Sequence, residues 1–338
     1  MIRVAVVGYG RWGPNLARCV MGSGACELAG VVDQSRAALD RVAIAHPDAT
    51  LWTDWRVMLE DPTVDAVIVA TPTRSHFEIA GAALRAGKHV LVEKPLTETS
   101  EQAEALIEEA RQRGLVLMVD HTFIYTGAIR KIRDLVQTGD LGAFYYYDSV
   151  RINLGAFQPD VDVVWDLAAH DLAVLDFLFD EKPTSVSATG AAHLSGRPVS
   201  SASVTLFYPS GATARLGVSW MSPIKVRRTL IGGSRAMIHY DEMEPDEKLK
   251  LFDTGVDIDV ATGALTYRVG EPVAQLVSGA EALATEIEHF ADCVANGREP
   301  LSSGETGLWV VGVLEAATRS MHAQGQPVQL PAITRTRP

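Results

Sequence analysis

Three short segments of the sequence carry side chains able to do chemistry. Glu93-Lys94-Pro95 sets an amine beside a carboxylate, and Asp166-Leu167-Ala168-Ala169-His170 sets a carboxylate and an imidazole four residues apart. Gly8-Tyr9-Gly10-Arg11-Trp12-Gly13 is a glycine-rich run of the form GxGxxG. On a helix an i, i+4 pair shares one face. Asp166 is therefore placed to orient His170 and stabilise its protonated form, and the imidazole is free to exchange a proton with a substrate. Taken alone, such a pair also describes a surface or capping pair, and a single lysine also describes an exposed cation. The decision rests on the elements that hold them.

The first third of the chain alternates strand and helix signals. Arg3–Val7, Leu28–Asp33, Val64–Ala70, His89–Glu93 and Leu115–Val119 are expected as strands. Leu16–Met21, Arg36–Ala45, Phe77–Ala86 (closed by Gly87) and Ser100–Arg113 (opened by a serine cap, closed by Gly114) are expected as helices. Val64–Ala70 is continuously apolar, as a strand covered by helices on both faces must be. The alternation implies an α/β domain over residues 1–121, a doubly wound parallel sheet of the Rossmann type.

From about Thr122 the pattern changes. A helix over Ile129–Thr138, a tyrosine-rich strand over Ala143–Asn153 and a strong helix over Val163–Phe179 come first. Six strands in a row follow: Thr184–Ala191, Ser203–Tyr208, Ala212–Ser219, Val226–Ile231, Ala236–Tyr240 and Lys248–Phe252. Pro209-Ser210-Gly211 marks a hairpin turn between two of them. Helices over Ala280–Asn296 and Gly307–Ala323 close the chain. Consecutive strands imply a C-terminal α+β domain over 122–332, with a largely antiparallel open sheet and helices on one face. The tail 333–338 is expected to be disordered. Of Tyr145–Tyr147, two share one side of their strand and are expected to pack.

Context turns the glycine run into a dinucleotide site. It directly follows the first strand and precedes a helix, and Asp33 lies 20 residues beyond Gly13 at the end of the second strand. Gly8 permits the tight turn, Gly10 lets backbone approach a pyrophosphate, and Gly13 lets the helix pack close. The helix N-terminus offers unpaired N–H groups to the phosphates. Asp33 is expected to accept from ribose hydroxyls and to repel a 2′-phosphate, which favours NAD over NADP, although Arg36 works against that preference. Thr71-Pro72-Thr73 and Glu93-Lys94-Pro95 both follow strands, at the edge where open α/β sheets place ligands. The cofactor residues expected are Gly8, Gly10, Arg11, Trp12, Gly13, Asp33, Arg36, Thr71, Pro72, Thr73, Glu93 and Lys94. His76 either joins them or caps its helix. Near the positive nicotinamide ring, the ammonium form of Lys94 would be disfavoured, which suits proton transfer.

The runs GYGRWG and ATPTRSH together with Glu93-Lys94-Pro95 resemble the Gfo/Idh/MocA oxidoreductases over nearly the whole chain. The resemblance implies that Lys94 contacts both nicotinamide and reacting hydroxyl, and that Asp166 and His170 match the family's helical Asp–His pair. The string from Arg151 through Trp165-Asp166-Leu167-Ala168-Ala169-His170-Asp171 resembles bacterial members acting at C3 of nucleotide-linked sugars. It implies Arg151 and Asn153 as substrate contacts; His121 and Tyr125 are further candidates, each with packing as its plain alternative. Lys94 and His170 are both poised to take the hydroxyl proton. Asp171 falls inside the apolar stripe of its helix and is expected to be a buried acid with a polar partner.

The function expected is NAD-dependent hydride transfer to or from a secondary alcohol of a sugar, most narrowly a nucleotide-linked sugar at C3. Inositol or free sugars are the alternative substrates. Two other classes compete: a glycosidase that uses NAD without net redox change, and a non-catalytic NAD-binding sensor, which the intact Lys94, Asp166 and His170 set disfavours. A net charge of −12 argues against nucleic acid. Cys19, Cys26 and Cys293 show neither disulfide nor metal spacing, so no metal is expected. With no apolar run long enough for a bilayer and the first strand beginning at Ile2, a soluble cytoplasmic protein without membrane partners is expected. Apolar alternation in Ser203–Phe207 and Ala212–Val218 suggests an uncovered sheet face, hence a homodimer or homotetramer.

Overall fold

A computed structural model describes residues 1–155, 157 and 161–331; the tail 333–338 lies outside them. The first segment holds β1 (Ile2–Val7), α1 (Gly13–Gly22), β2 (Cys26–Val32), α2 (Arg36–Ala45), β3 (Thr50–Trp52), α3 (Trp55–Leu59), β4 (Ala66–Val69), α4 (His76–Arg85), β5 (His89–Glu93), α5 (Ser100–Arg113) and β6 (Leu117–Asp120). The strands form one parallel sheet in the order β3-β2-β1-β4-β5-β6. Val4–Val7 and Ala66–Val69 are buried throughout, the consequence of helices on both faces. The strand order reverses between β1 and β4, and the carboxyl ends there form the ligand edge of such sheets. β3 and α3, at three and five residues, are too short to have shown a periodicity. α5 is capped by Thr99, whose hydroxyl accepts from the Gln102 N–H at 3.3 Å; Ser100, the expected cap, is the first helical residue.

The second segment runs α6 (Gly127–Gln137), β7 (Phe144–Leu154), a wide π-helical turn over Val164–Ala168, and α7 (Ala169–Leu178). It continues with β8 (Ser185–Ala191), β9 (Ser201–Phe207), β10 (Thr213–Ser219), β11 (Met221–Gly233), β12 (Met237–Asp241), β13 (Leu249–Ile258) and β14 (Leu265–Ala274). β14 escaped the sequence reading because nearly all of its side chains are exposed, which leaves no alternation of buried and exposed positions. The sheet order is β14-β13-β12-β11-β7-β10-β9-β8-β15, antiparallel except for the β7–β10 pair. Its last member, β15 (Val328–Gln329), follows α8 (Ala282–Asn296) and α9 (Gly304–His322). Tyr145 and Tyr147 share a face as expected, but only Tyr147 is buried; Tyr145 is exposed.

The chain divides into two compact units, Met1–Tyr125 with Ala280–Val311, and Thr126–Gly279 with Gly312–Pro338. This differs from the expected boundaries, because α8 and the start of α9 complete the first unit. α8 packs on α1 and on the turn Thr122–Tyr125. Its apolar stripe, Leu283, Ile287 and Phe290, is buried. The N–H of Val119 at the end of β6 donates to the carbonyl of Ser302 at 2.8 Å. A Cβ on Gly307 would meet Leu96 and Val119 at 2.8 Å, so only glycine lets α9 approach this closely. Because Phe290 is wholly buried, Phe290→Ala should lower the stability of the first unit by about 3–5 kcal/mol, read by urea unfolding.

Candidate active site

Space at the carboxyl end of β1 is limited by backbone on two sides. Gly8 has φ +99°, and a Cβ there would lie 2.6 Å from the carbonyl oxygen of Ala70. A Cβ on Gly13 would lie 2.1 Å from the Gly8 carbonyl oxygen. A Cβ on Gly10, by contrast, would meet nothing within 4 Å. The backbone at Gly10 therefore borders open space, the cradle a pyrophosphate requires. α1 begins without a side-chain cap and with Pro14 in its first turn, so no side chain of its own competes for its first N–H groups. Arg11 and Trp12 beside it are exposed.

Asp33 is half-buried and ties this turn to β2: it accepts from the N–H of Tyr9 at 2.7 Å and from that of Ser35 at 2.7 Å. Each carboxylate oxygen keeps a further lone pair for a ribose hydroxyl. Arg36 is exposed and pairs with Asp40 on its own helix at 3.2 Å. Arg41, which sequence reasoning missed, donates to the Tyr9 carbonyl at 3.0 Å and lies 5.7 Å from the Tyr9 ring centre. Only the fold brings it to the glycine turn.

Thr71, Pro72 and Thr73 follow β4; the Thr71 hydroxyl accepts from Ser75 at 2.8 Å. His76 is buried, with Nδ1 2.9 Å from the Pro95 carbonyl and Nε2 2.8 Å from the Thr71 carbonyl. It clamps the loops after β4 and β5 together, and Ser75, not His76, holds the cap position of α4. Glu93 is likewise buried, leaving half-buried Lys94 as the accessible member of its motif. His121 and Tyr125 are also buried, at 1% and 2% exposure. The Tyr125 hydroxyl lies 3.1 Å from that of Ser302, and its ring packs on His289 at 5.6 Å.

In the second unit the helix side of the sheet carries a polar network. Asp171 of α7 accepts from the Tyr147 hydroxyl at 2.9 Å, from the Ser149 hydroxyl at 2.7 Å and from Arg151 Nε at 3.0 Å. This is the buried, partnered acid that its place in the apolar stripe implies. Burial and the neighbouring Asp171 push the Tyr147 hydroxyl well above its ordinary range, so it stays protonated and donating. Arg151 is 6% exposed, with Glu242 at 3.5 Å as a second partner. Arg151 thereby pins α7 to β7. Asn153, two residues on, is half-buried and accepts from Arg227 at 2.8 Å. Arg227 stands directly across from Arg151 in the β7–β11 register. Burial, then the Arg151 charge, lowers its pKa from the ordinary arginine value.

Asp166 and His170 sit at the π-helical turn and the start of α7, both half-buried. Asp166 accepts from the indole N–H of Trp220 at 2.9 Å. Sequence reasoning missed Trp220 and Arg227, since nothing in their local strings shows that β10 and β11 deliver them to this helix.

The family described as "Oxidoreductase family, NAD-binding Rossmann fold" matches residues 2–121, and the GFO/IDH/MocA C-terminal domain matches residues 129–239. The UDP-N-acetylglucosamine 3-dehydrogenase of Acidithiobacillus ferrooxidans is 30% identical over 328 residues, 92% of this chain and 94% of that protein. The chain belongs to the Gfo/Idh/MocA oxidoreductase family.

A second member, the scyllo-inositol 2-dehydrogenase (NAD(+)) of Bacillus subtilis, is 28% identical over 97% of this chain and 96% of its own length. The solved structure of the Acidithiobacillus enzyme superposes with a TM-score of 0.80 at 29% identity, covering 95% of this chain and 98% of that one. As a Gfo/Idh/MocA member the protein is an NAD(P)-dependent dehydrogenase whose first unit is an NAD-binding Rossmann domain. Its glycine cradle and uncapped helix terminus fit that cofactor. Among the described residues no helix is long and apolar enough to cross a membrane. Because Asp171 is 1% exposed, Asp171→Ala, which strands the Arg151 charge, should cost about 3–5 kcal/mol of stability, measured by denaturant unfolding of the full chain.

Proposed function

We propose that the protein is an NAD-preferring dehydrogenase acting on a secondary hydroxyl of a sugar, narrowly C3 of a nucleotide-linked sugar. The observation that carries this reading is that half-buried Asp166 and His170 stand four residues apart in the unit that also holds half-buried Asn153 bonded to Arg227. The likeness to the Acidithiobacillus UDP-N-acetylglucosamine 3-dehydrogenase supports the narrower substrate. The Bacillus relative favours a second reading, an inositol or free-sugar dehydrogenase.

When bound, nicotinamide supplies the hydride acceptor. Gly8, Gly10 and Gly13 with the start of α1 hold the phosphates, and Asp33 takes the ribose hydroxyls while repelling a 2′-phosphate. The pairing of Arg36 with Asp40 leaves it less available to reward such a phosphate. His170 is the group that takes the hydroxyl proton, and Asp166, fixed by Trp220, stabilises the imidazolium that forms. Lys94 binds the same hydroxyl oxygen and polarises it. The three cysteines, all free and buried, suit a reducing cytoplasm.

We infer self-association through the sheet face opposite α7, with a second copy of this chain as the occupant. The reason differs from the expected one: in β9 and β10 the alternating apolar residues Ala202, Val204, Leu206, Ala214, Leu216 and Val218 are buried. An apolar cluster on the other face joins exposed Leu230 to half-buried Tyr146, Met237 and Phe252.

UDP-, GDP- and TDP-sugars, inositols and free sugars offered with NAD or NADP should give NADH absorbance with a UDP-sugar and NAD; growth only with inositols supports the second reading, and turnover without NADH supports a glycosidase. Lys94→Ala and His170→Ala should each lower kcat by about 10²–10⁴-fold with NAD affinity kept; unchanged kcat in His170→Ala contradicts its role. Leu230→Glu should shift sedimentation toward the monomer without loss of fold.

A further inference from the structure

One buried ring at the ligand edge of the first sheet faces two acceptors. His76, the first residue of α4, is 1% exposed, with Nδ1 2.9 Å from the Pro95 carbonyl oxygen and Nε2 2.8 Å from that of Thr71. A carbonyl only accepts, and a neutral imidazole has a single N–H. A neutral ring would therefore set its own lone pair against a carbonyl lone pair. Turning the ring over does not remove the conflict: Cδ2 and Cε1 would then stand at those distances, well inside the range of about 3.3–3.6 Å at which C–H···O contacts lie. Both distances are met together only when both nitrogens carry hydrogen, as in the imidazolium ion.

Burial disfavours that charge, and so does the start of a helix, where the dipole is positive. Against them stand two charge-assisted hydrogen bonds. Loss of the proton forfeits one of them and leaves a buried carbonyl facing a lone pair. At this edge the charged side chains on α4 and on the elements packed against it are Arg74 and Glu78 around its first turn, Glu93 and Lys94 at the end of β5, and Glu98 and Glu101 around the start of α5. Glu78 pairs with Arg56 of α3 at 2.8 Å. Glu93 is the acid among them that is buried; the others of its sign are exposed.

We propose that His76 is an imidazolium cation at neutral pH, and that its two N–H groups make it the positioning residue of Lys94. The role, though not the charge, rests on Lys94 being the group that binds the hydroxyl. The β4–β5 ladder ends at the pair Val69 and Val92, and past it the two chains lead into separate loops. The ring bridges them where the ladder has stopped. Pro95 has its φ locked by its own ring, so a fixed carbonyl there also fixes the peptide that joins it to Lys94. Without the extra proton one N–H is lost, and the loop after β4 or the loop after β5 is released. The clamp holds below the pH at which the ring deprotonates and fails above it, the sign for a histidine whose partners stabilise its charged form.

The test uses the full-length protein without sugar. In protein carrying nitrogen-15 in its histidine rings, the His76 ring, assigned through its own backbone, should show two protonated nitrogens at neutral pH. One unprotonated nitrogen overturns the charge. Hydrogen exchange of the segments 71–75 and 94–98, read by mass spectrometry against β1, should be about tenfold faster in His76→Gln, whose one nitrogen cannot serve both carbonyls. Unchanged exchange overturns the positioning role. Raising the pH of the wild type should release the same two segments, relative to β1, where the ring signal titrates, a step absent from His76→Gln. A merely structural contact would give the faster exchange in the variant but not that step. A ring that titrates without releasing either segment also overturns the role, and if the variant does not fold, this wild-type titration decides. Should these readouts hold while no sugar is oxidised, the failure belongs to the proposed substrate and not to the clamp.

Discussion

Two backbone approaches too close for any side chain govern the cofactor half of this protein. Gly8 lies against the Ala70 carbonyl and Gly13 against that of Gly8, which brings the ends of β1 and β4 and the start of α1 to one place. Every other feature of that edge follows from this closeness. Asp33 can reach back to the Tyr9 N–H only because the turn is tight. The loops after β4 and β5 are near enough for one imidazole, His76, to join them. Lys94 and Asp120 then emerge from neighbouring strand ends, where a parallel sheet delivers side chains in register.

The second unit solves a different problem, that of burying charge on an apolar helix. Asp171 lies within the stripe that packs α7 on the sheet, and β7 answers it at alternate positions with Tyr147, Ser149 and Arg151. The period-2 spacing of those three residues matches one face of a strand. With all three engaged, the helix cannot slide or rotate without stranding a charge, so the network sets where Asp166 and His170 stand. Such rigidity suits the role proposed for that pair, since proton transfer tolerates little misplacement.

Much of this was legible in the sequence wherever a local rule applied. The glycine run, Asp33 and the strand-end motifs marked the Rossmann edge because each has a physical role at a fixed spacing. Asp171 was legible as a buried acid because a helical wheel places it among leucines and valines. The same wheel applied to α8 would have exposed Glu286, which lies with Leu283, Ile287 and Phe290. What the sequence withheld were partners distant along the chain. Arg41, Trp220 and Arg227 reach their sites through strand order, and α8 returns to the first unit after the whole second sheet has been made. Arg151, His76 and Tyr125 read in the sequence only as polar residues near a site; their burial and their bonds to Asp171, to the Pro95 and Thr71 carbonyls and to Ser302 come from the fold.

The central claim is that this chain moves a hydride from a sugar carbon to nicotinamide. It is tested most directly with a UDP-sugar deuterated at C3 and unlabelled NAD, with the reduced cofactor analysed by mass spectrometry. The account predicts one deuterium in the recovered NADH and none released to water. Unlabelled NADH, or deuterium found in the solvent, would contradict it.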